Sequence, residues 1–206
     1  GGSITGNEAV ASGGSNCWGG GVRVDNGTFH MSGGSITGNK ASSTDSGYGG
    51  GVYAGEDGTF NMSGTASITD NQARCGGGVY VVGTFNMEGG SITGNKATGG
   101  NDGGGVFVKY GTFTVSGAVE ITGNKWYSDS ITNNVRLYEG KTITVNGLQQ
   151  SARIGVTTSG KFATGATDTN LNYSEIFTHD TNSSEYDVVR DGEGNLSFAA
   201  HQHSWT

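Results

Sequence analysis

Acidic side chains stand at equivalent places in two copies of a repeated segment. Asp25 follows the glycine block that ends at Val22, and Glu56 and Asp57 follow the copy that ends at Val52. Glycoside hydrolysis needs two carboxyl groups that flank the bond, and lyase chemistry pairs carboxylate-bound calcium with a base. Acidic residues beside glycine are also common in solvated turns. A carbohydrate-active enzyme is therefore an alternative interpretation, and the main interpretation assigns no catalytic residue.

A second row of residues directly follows the valine of each glycine block. It contains arginine at both ends and aromatic residues between them: Arg23, Tyr53, Tyr80, Phe107 and Arg136. Aromatic faces pack against the C–H surfaces of sugars, and arginine forms planar hydrogen bonds with carboxylates. We expect this row to lie on an exposed face and to bind a glycan or a protein. Stacking between strands, or a covering loop, would explain it as structure alone.

The other reactive side chains predict neither a cofactor nor a metal site. The glycine run at residues 103–105 is not followed by the lysine and helix of a phosphate-binding loop. Cys17 and Cys75 fall two repeats apart, which is beyond the usual disulfide separation unless the loops bend. We expect both cysteines to be free thiols.

The composition limits the class of protein. The chain has 206 residues, of which 41 are glycine and none is proline, and its formal net charge is −7. Only 14% of its residues are charged, which argues against a disordered tail. No apolar run is long enough to cross a membrane. Without a basic stripe, binding to nucleic acid or to an anionic membrane surface is disfavoured.

These residues lie on an internal repeat of 24 to 32 residues. Each copy contains the blocks G-G-S-I-T-G-N, G-G-G-V and G-T-F in the same order, with small variations. The blocks are short, alternate in polarity and are bounded by glycine, which is typical of β-strands. Short strands recurring in one order predict an all-β solenoid. We expect a right-handed, single-stranded parallel β-helix with about five recognisable coils and an irregular C-terminal cap.

Within the repeat, one asparagine position predicts a structural ladder along the solenoid axis. Stacked amide side chains can hydrogen-bond from coil to coil, so this position is assigned to structure. An alanine two residues later is small enough to lie beneath a tight turn. The ladder residues are Asn7, Asn39, Asn71, Asn95 and Asn124.

The period is lost in the last third of the chain. We expect β-helix repeats over residues 1–148, a terminal coil and cap over 149–200, and a linker or further module over 201–206. The cap should contain a β-hairpin between residues 186 and 198, because solenoids must cover their last coil. Since both ends are abrupt, we expect neighbouring domains in a longer parent chain.

The spacing Ile36-x-x-Asn39-x-Ala41, followed by the glycine block ending at Val52, resembles a known pair of repeats. Polymorphic outer-membrane proteins, which are autotransporter adhesins, carry F-x-x-N-x-A and G-G-A-[ILV]. Here isoleucine replaces phenylalanine and a third glycine replaces alanine, over residues 1 to about 125. The sequence is more similar still to the glycine-rich right-handed β-helix repeats of bacterial surface proteins. The resemblance implies a secreted or surface-anchored protein, often used for adhesion.

Together these observations predict a non-enzymatic, adhesin-like module outside the bacterial cell. Its partner would be a glycan or protein at a cell surface, bound along an exposed face of the β-helix. We expect no nucleic acid partner and no membrane insertion by this segment. A carbohydrate-active enzyme and a purely structural stalk are the alternatives.

Overall fold

The computed structural model describes residues 1–12, 15–43, 46–100, 102–158, 160–181 and 184–201. The chain is nearly all β and forms a parallel β-solenoid of about five turns, which confirms the predicted fold class. Within the described residues the one helix is Tyr173–Ile176, and no helix is long and apolar enough to cross a membrane. Of the segment expected at 201–206, residues 202–206 lie outside the described residues.

The blocks of each repeat fold as strands that stack in rows. The glycine-valine and glycine-phenylalanine blocks form one continuous strand in the first two coils and separate strands afterwards. The valine row comprises Val22–Met31, Val52–Met62, Val79–Val81, Val106–Val108 and Val135–Leu137. The phenylalanine row continues with Thr84–Met87, Thr112–Gly117 and Ile143–Leu148.

The third block gives an isoleucine row, and a fourth row follows it that the sequence did not predict. The isoleucine row comprises Ser3–Thr5, Ser35–Thr37, Ser67–Thr69, Gly90–Thr93, Val119–Thr122 and Arg153–Thr157. The alanines expected beneath a turn lie instead in short parallel strands, because their backbone pairs with the next coil. The fourth row comprises Glu8–Ala11, Lys40–Ser43, Gln72–Ala73, Lys96–Ala97 and Lys125–Trp126, and in the last of these Trp126 takes the place of the alanine.

Each residue of the repeat pairs with its own copy in the next coil. Phe85 lies opposite Phe60 on one side and Phe113 on the other, and both ring pairs stack with centroids 4.9 Å apart. This distance equals the spacing of hydrogen-bonded strands, so backbone pairing and ring stacking impose the same separation. All three phenylalanines are fully buried. The register of one row therefore fixes the packing of the core.

The glycine blocks are required where neighbouring coils approach most closely. A Cβ on Gly77 would lie 2.5 Å from the carbonyl oxygens of Gly104 and Lys96, a distance that no side chain can tolerate. Gly49 adopts a φ of 66°, in the left-handed region that favours glycine. The glycine content thus follows from coil-to-coil contact.

The asparagine row forms a continuous hydrogen-bonded ladder inside the solenoid. Asn39 donates from its backbone N–H and its side-chain amide to Oδ1 of Asn71, at 2.9 and 3.0 Å. The second amide hydrogen of Asn39 goes to the carbonyl of Ile4 in the preceding coil, at 2.9 Å. The same pattern repeats at Asn71 and Asn95. Because every rung donates toward the C-terminus, the ladder has one direction.

Two further residues, which the sequence did not place in this row, extend and end the ladder. Asn134 follows Asn124 by only ten residues and accepts its backbone and side-chain N–H groups at 2.9 and 3.0 Å. Asn134 donates in turn to both carboxylate oxygens of Asp180, at 2.6 and 2.5 Å, and Thr157 donates to the same carboxylate at 2.6 Å. An ionised carboxylate only accepts, so a row of donors can end on it.

The last coil is covered by an irregular cap. Gly160–Thr164 pairs with Ile143–Leu148 and, antiparallel, with Leu196–Ala200. The predicted hairpin is present, since Tyr186–Arg190 pairs antiparallel with Leu196–Ala200. Phe177–His179 adds a parallel strand beside Arg153–Thr157. Rings of the cap pack on one another and close the end of the core.

Asn95→Ala tests the ladder, with Asn86→Ala as a matched control in the same coil. Removing the Asn95 amide leaves the buried donors of Asn71 without an acceptor, which should lower the free energy of unfolding by at least about 3 kcal/mol. Asn86 is half-buried and makes one hydrogen bond, to Asn61, so its loss should cost about 1 kcal/mol. Urea unfolding of both variants measures the difference. Equal losses would contradict a special role for the ladder.

The end of the ladder predicts a pH-dependent stability. Burial raises the pKa of the Asp180 carboxyl, and the donors from Thr157 and Asn134 offset only part of this rise. The folded state therefore binds a proton at Asp180 more readily than the unfolded chain does. As the pH falls through the raised pKa of Asp180 toward about 3.9, the ordinary pKa of aspartate, the free energy of unfolding should increase relative to that of Asp180→Asn. Urea unfolding across this range checks the sign, and a loss of relative stability on acidification would refute it.

Candidate functional site

The carboxylates of the alternative enzymatic interpretation lie on an exposed turn. Asp25, Glu56 and Asp57 are all exposed, and Asp25 forms an ion pair with Arg23 at 2.8 Å. Asp57 lies opposite Asn26 in the strand register. Among the described residues no group of three or more His, Cys, Asp or Glu side chains is arranged to hold a metal.

The predicted arginine-aromatic row is in register but is not exposed along its length. Arg23, Tyr53, Tyr80, Phe107 and Arg136 face one another in consecutive coils, as the repeat predicts. The expectation of an exposed face is wrong in the middle, since Tyr80 is 7% and Phe107 is 4% exposed. Burial also raises the pKa of the Tyr80 phenol. A ligand cannot reach these two rings in this structure.

The variable loops cause this burial by folding back over the row. Tyr48 packs against Tyr80 with ring centroids 4.9 Å apart, and Cys75 belongs to the same buried cluster. The loops also form a small outer sheet, in which Gly47–Tyr48 pairs with Cys17–Trp18 and Tyr48 bridges to Cys75. The sequence did not reveal this layer because the loops differ in length and composition from coil to coil.

The N-terminal end of the row is only partly accessible. The guanidinium of Arg23 lies 4.7 Å from the centre of the Trp18 ring, and Trp18 lies 6.4 Å from Tyr53. Because Arg23 also pairs with Asp25, its charge is already balanced within the protein. The charged side chain at this end of the row therefore already has its partner within the protein.

At the C-terminal end the row opens into two adjoining cavities. Here the loop after the isoleucine row folds as a hairpin, with Ser128–Thr132 antiparallel to Lys125–Trp126. One cavity has a volume of about 320 Å³ and is lined by Trp126, Arg136 and several threonines, and the other has about 420 Å³. Arg136 and Thr158 line both. We name these two cavities together the Arg136 groove.

Beside the groove lie two exposed tyrosines that the sequence reasoning did not select. Tyr110 is 60% and Tyr138 is 42% exposed, and their rings meet edge to face at 5.9 Å. Lys109 places its Nζ 3.5 Å from the centre of the Tyr138 ring. We name Lys109, Tyr110 and Tyr138 the tyrosine platform. A tyrosine after the valine strand in two neighbouring coils was the available signal, although the earlier coils do not repeat it.

The groove concentrates positive charge in an acidic protein. Arg136, Lys141 and Lys161 line the second cavity, where Glu139 is the one acidic residue among the described lining residues. Lys141 also donates from its Nζ to the backbone carbonyl of Tyr110, which ties the groove to the platform. Within the described part of the chain, neither Arg136 nor Lys161 forms an ion pair. An anionic ligand would therefore find uncompensated cations here.

Both cysteines have free thiols, as the sequence predicted, and both are buried. The thiol of Cys75 lies 3.2 Å from Oδ2 of Asp102. Burial raises the pKa of Cys75 and of Cys17, so little reactive thiolate is present near neutral pH.

Thiol titration with Ellman's reagent at pH 8 checks this assignment. In the folded protein neither thiol should react measurably within minutes, because both are buried and protonated. In guanidinium chloride both should react. If the unfolded, unreduced protein released no thiol, the cysteines would be joined in a disulfide and the assignment would be wrong.

The groove and the platform combine aromatic faces, hydroxyl groups and cations on one surface. Such a surface suits a polar ligand that carries negative charge, since aromatic rings take C–H faces and guanidinium takes carboxylates. Its geometry comes from the last coils, where the repeat is least regular.

No protein-family model, curated protein or solved structure matches this chain.

Proposed function

We propose that this chain is a non-enzymatic glycan-binding module of a secreted or surface-anchored bacterial protein. The observation that carries this proposal is the tyrosine platform. Two neighbouring tyrosines are held out in solvent, whereas Tyr80 and Phe107 of the earlier row are buried. Exposed aromatic faces in a fixed orientation are suited to the C–H surface of a sugar ring.

The platform is organised before any ligand arrives. Lys109 lies over Tyr138, and Lys141 bonds to the Tyr110 backbone, so both turns are held in place. Both turns begin where paired strands end, Val106–Val108 and Val135–Leu137. A rigid site loses less conformational entropy on binding than a flexible one. The solenoid therefore acts as the support for an adhesive surface.

The repeat pattern supports a bacterial surface origin. We place the chain with the glycine-rich β-helix repeats of bacterial surface proteins, similar to those of polymorphic outer-membrane adhesins. The parallel solenoid and its asparagine ladder agree with that repeat pattern. On this proposal the module works outside the cell, next to other domains of a longer parent chain, and contacts a glycan or protein on a cell surface.

A structural stalk is the second candidate function, and one observation favours it. The loops bury Tyr80 and Phe107, so most of the row that was predicted to bind serves as packing. A rod with a continuous ladder and a stacked core would hold two domains apart without any ligand. The two candidates differ in whether the platform binds.

A glycan array with the protein and a Tyr110→Ala/Tyr138→Ala double variant separates them. Loss of both rings should weaken binding at least about tenfold, because each aromatic contact contributes about 1 kcal/mol. Tyr53→Ala is the control, since it removes a ring of the predicted row and leaves the platform intact. Melting temperatures verify that each variant is folded.

Two results would count against the platform. If Tyr53→Ala abolished binding and the double variant retained it, the binding site would lie on the predicted row. If the unmodified protein bound no glycan, the stalk would be the better description.

A further inference from the structure

Arg136 stands where the three preceding coils carry an aromatic ring. Phe107 occupies the same place one coil earlier and is 4% exposed, whereas Arg136 is half-buried and lines both cavities of the groove. Packing accounts for a buried phenylalanine at this place. Packing does not account for a guanidinium, because partial burial of a charge is costly unless the charge is paired.

The guanidinium of Arg136 is fixed in position but mostly uncommitted. Its Nη1 donates to the backbone carbonyl of Thr157 at 3.1 Å, which uses one of five N–H donors. In the described part of the protein, no carboxylate pairs with it. The planar fork is therefore oriented and can still bind an anion with two parallel hydrogen bonds.

The smaller cavity matches one sugar residue in size and chemistry. Its volume of about 320 Å³ lies at the lower end of the range for small-ligand sites. Trp126 lines it, and the indole Nε1 donates to the carbonyl of Gly99, which holds the ring in place. Thr132, Thr158 and Thr181 are among the other residues that line it. Ring face, hydroxyls and guanidinium are the groups that a charged sugar requires.

The charges around the groove favour an anion over a neutral sugar. Arg136 lines both cavities, and Lys141 and Lys161 line the larger one. Asp180 is next to His179, but its carboxylate accepts hydrogen bonds from Asn134 and Thr157 at the end of the ladder. These donors are neutral, so Asp180 keeps its negative charge. The three cations that line the groove outnumber this carboxylate and that of Glu139.

We infer that the Arg136 groove binds a carboxylate-bearing sugar, a uronic acid unit of an acidic glycan. This inference rests on the proposed glycan-binding function and names its ligand class. The carboxylate pairs with Arg136 and the sugar ring lies beside Trp126. The glycan continues past Lys141 to the tyrosine platform, because Tyr138 lines the second cavity and also belongs to the platform.

Calorimetric titration with hexagalacturonate and with its carboxyl-reduced, neutral counterpart tests the inference. The protein should bind the acidic hexamer more tightly than the neutral one. Arg136→Gln should weaken acidic binding about tenfold to a hundredfold and weaken neutral binding far less, because it removes a charge-assisted pair. Arg136→Lys keeps the charge but lacks the planar fork, so its affinity for the acidic hexamer should lie between those of the unmodified protein and Arg136→Gln.

Arg153→Gln is the matched control. Arg153 is exposed on a neighbouring strand and bonds to the carbonyls of Gln150 and Ala152, so this variant has the same change in net charge. It should keep acidic binding within about twofold of the unmodified protein. Melting temperatures establish that the variants fold. If Arg136→Gln does not fold, Arg136→Lys is compared with the control in its place.

The possible outcomes separate this inference from the function on which it rests. Equal binding of acidic and neutral hexamers, or equal effects of the Arg136 and Arg153 variants, would overturn the inference and leave glycan binding standing. Absence of binding to either hexamer and to any arrayed glycan would overturn both. Hexaglutamate bound as tightly as hexagalacturonate would mean that charge alone is recognised, which would overturn the sugar ligand.

Discussion

The structure depends on a hydrogen-bonding constraint inside the solenoid. Each ladder asparagine presents two donors toward the following coil, and both must meet one oxygen there. That oxygen can stand in only one place, so the coils must stack in strict register. A buried amide that lacks a partner costs about 1–3 kcal/mol. Register, in turn, brings phenylalanine over phenylalanine and glycine against glycine.

Strict stacking leaves little freedom at the repeated positions. Strand residues face their own copies, and glycine is needed where a side chain would collide with the next coil. Variation is therefore confined to the loops and to the last coils, where pairing is less regular. A groove can form only where the coils do not stack uniformly, and Arg136 lies at such a place. This explains why the candidate site is found near the cap and not midway along the row.

The contrast between the repeated positions and the variable loops also explains which features the sequence could predict. Three of the four strand rows, the asparagines and the absence of a disulfide follow from repeated residue types at repeated spacings, so they could be read directly. Asn134 could not be placed in the ladder, because it stands at a glycine position ten residues after Asn124 and enters by way of a hairpin. The burial of Tyr80 was missed for a related reason. It depends on how Tyr48 folds back, and periodicity carries no information about such a loop.

The direction of the ladder gives the rod an electrical polarity. Each rung donates its backbone N–H and one side-chain amide hydrogen toward the C-terminus, so the dipoles of these groups add as peptide dipoles do along a helix. The positive end of this column meets the carboxylate of Asp180, in the same way that an acidic residue complements the start of a helix. A β-solenoid is usually regarded as electrically even along its length. Here one column of side chains makes its two ends different, and the end with the positive pole is the end where the charged groove lies.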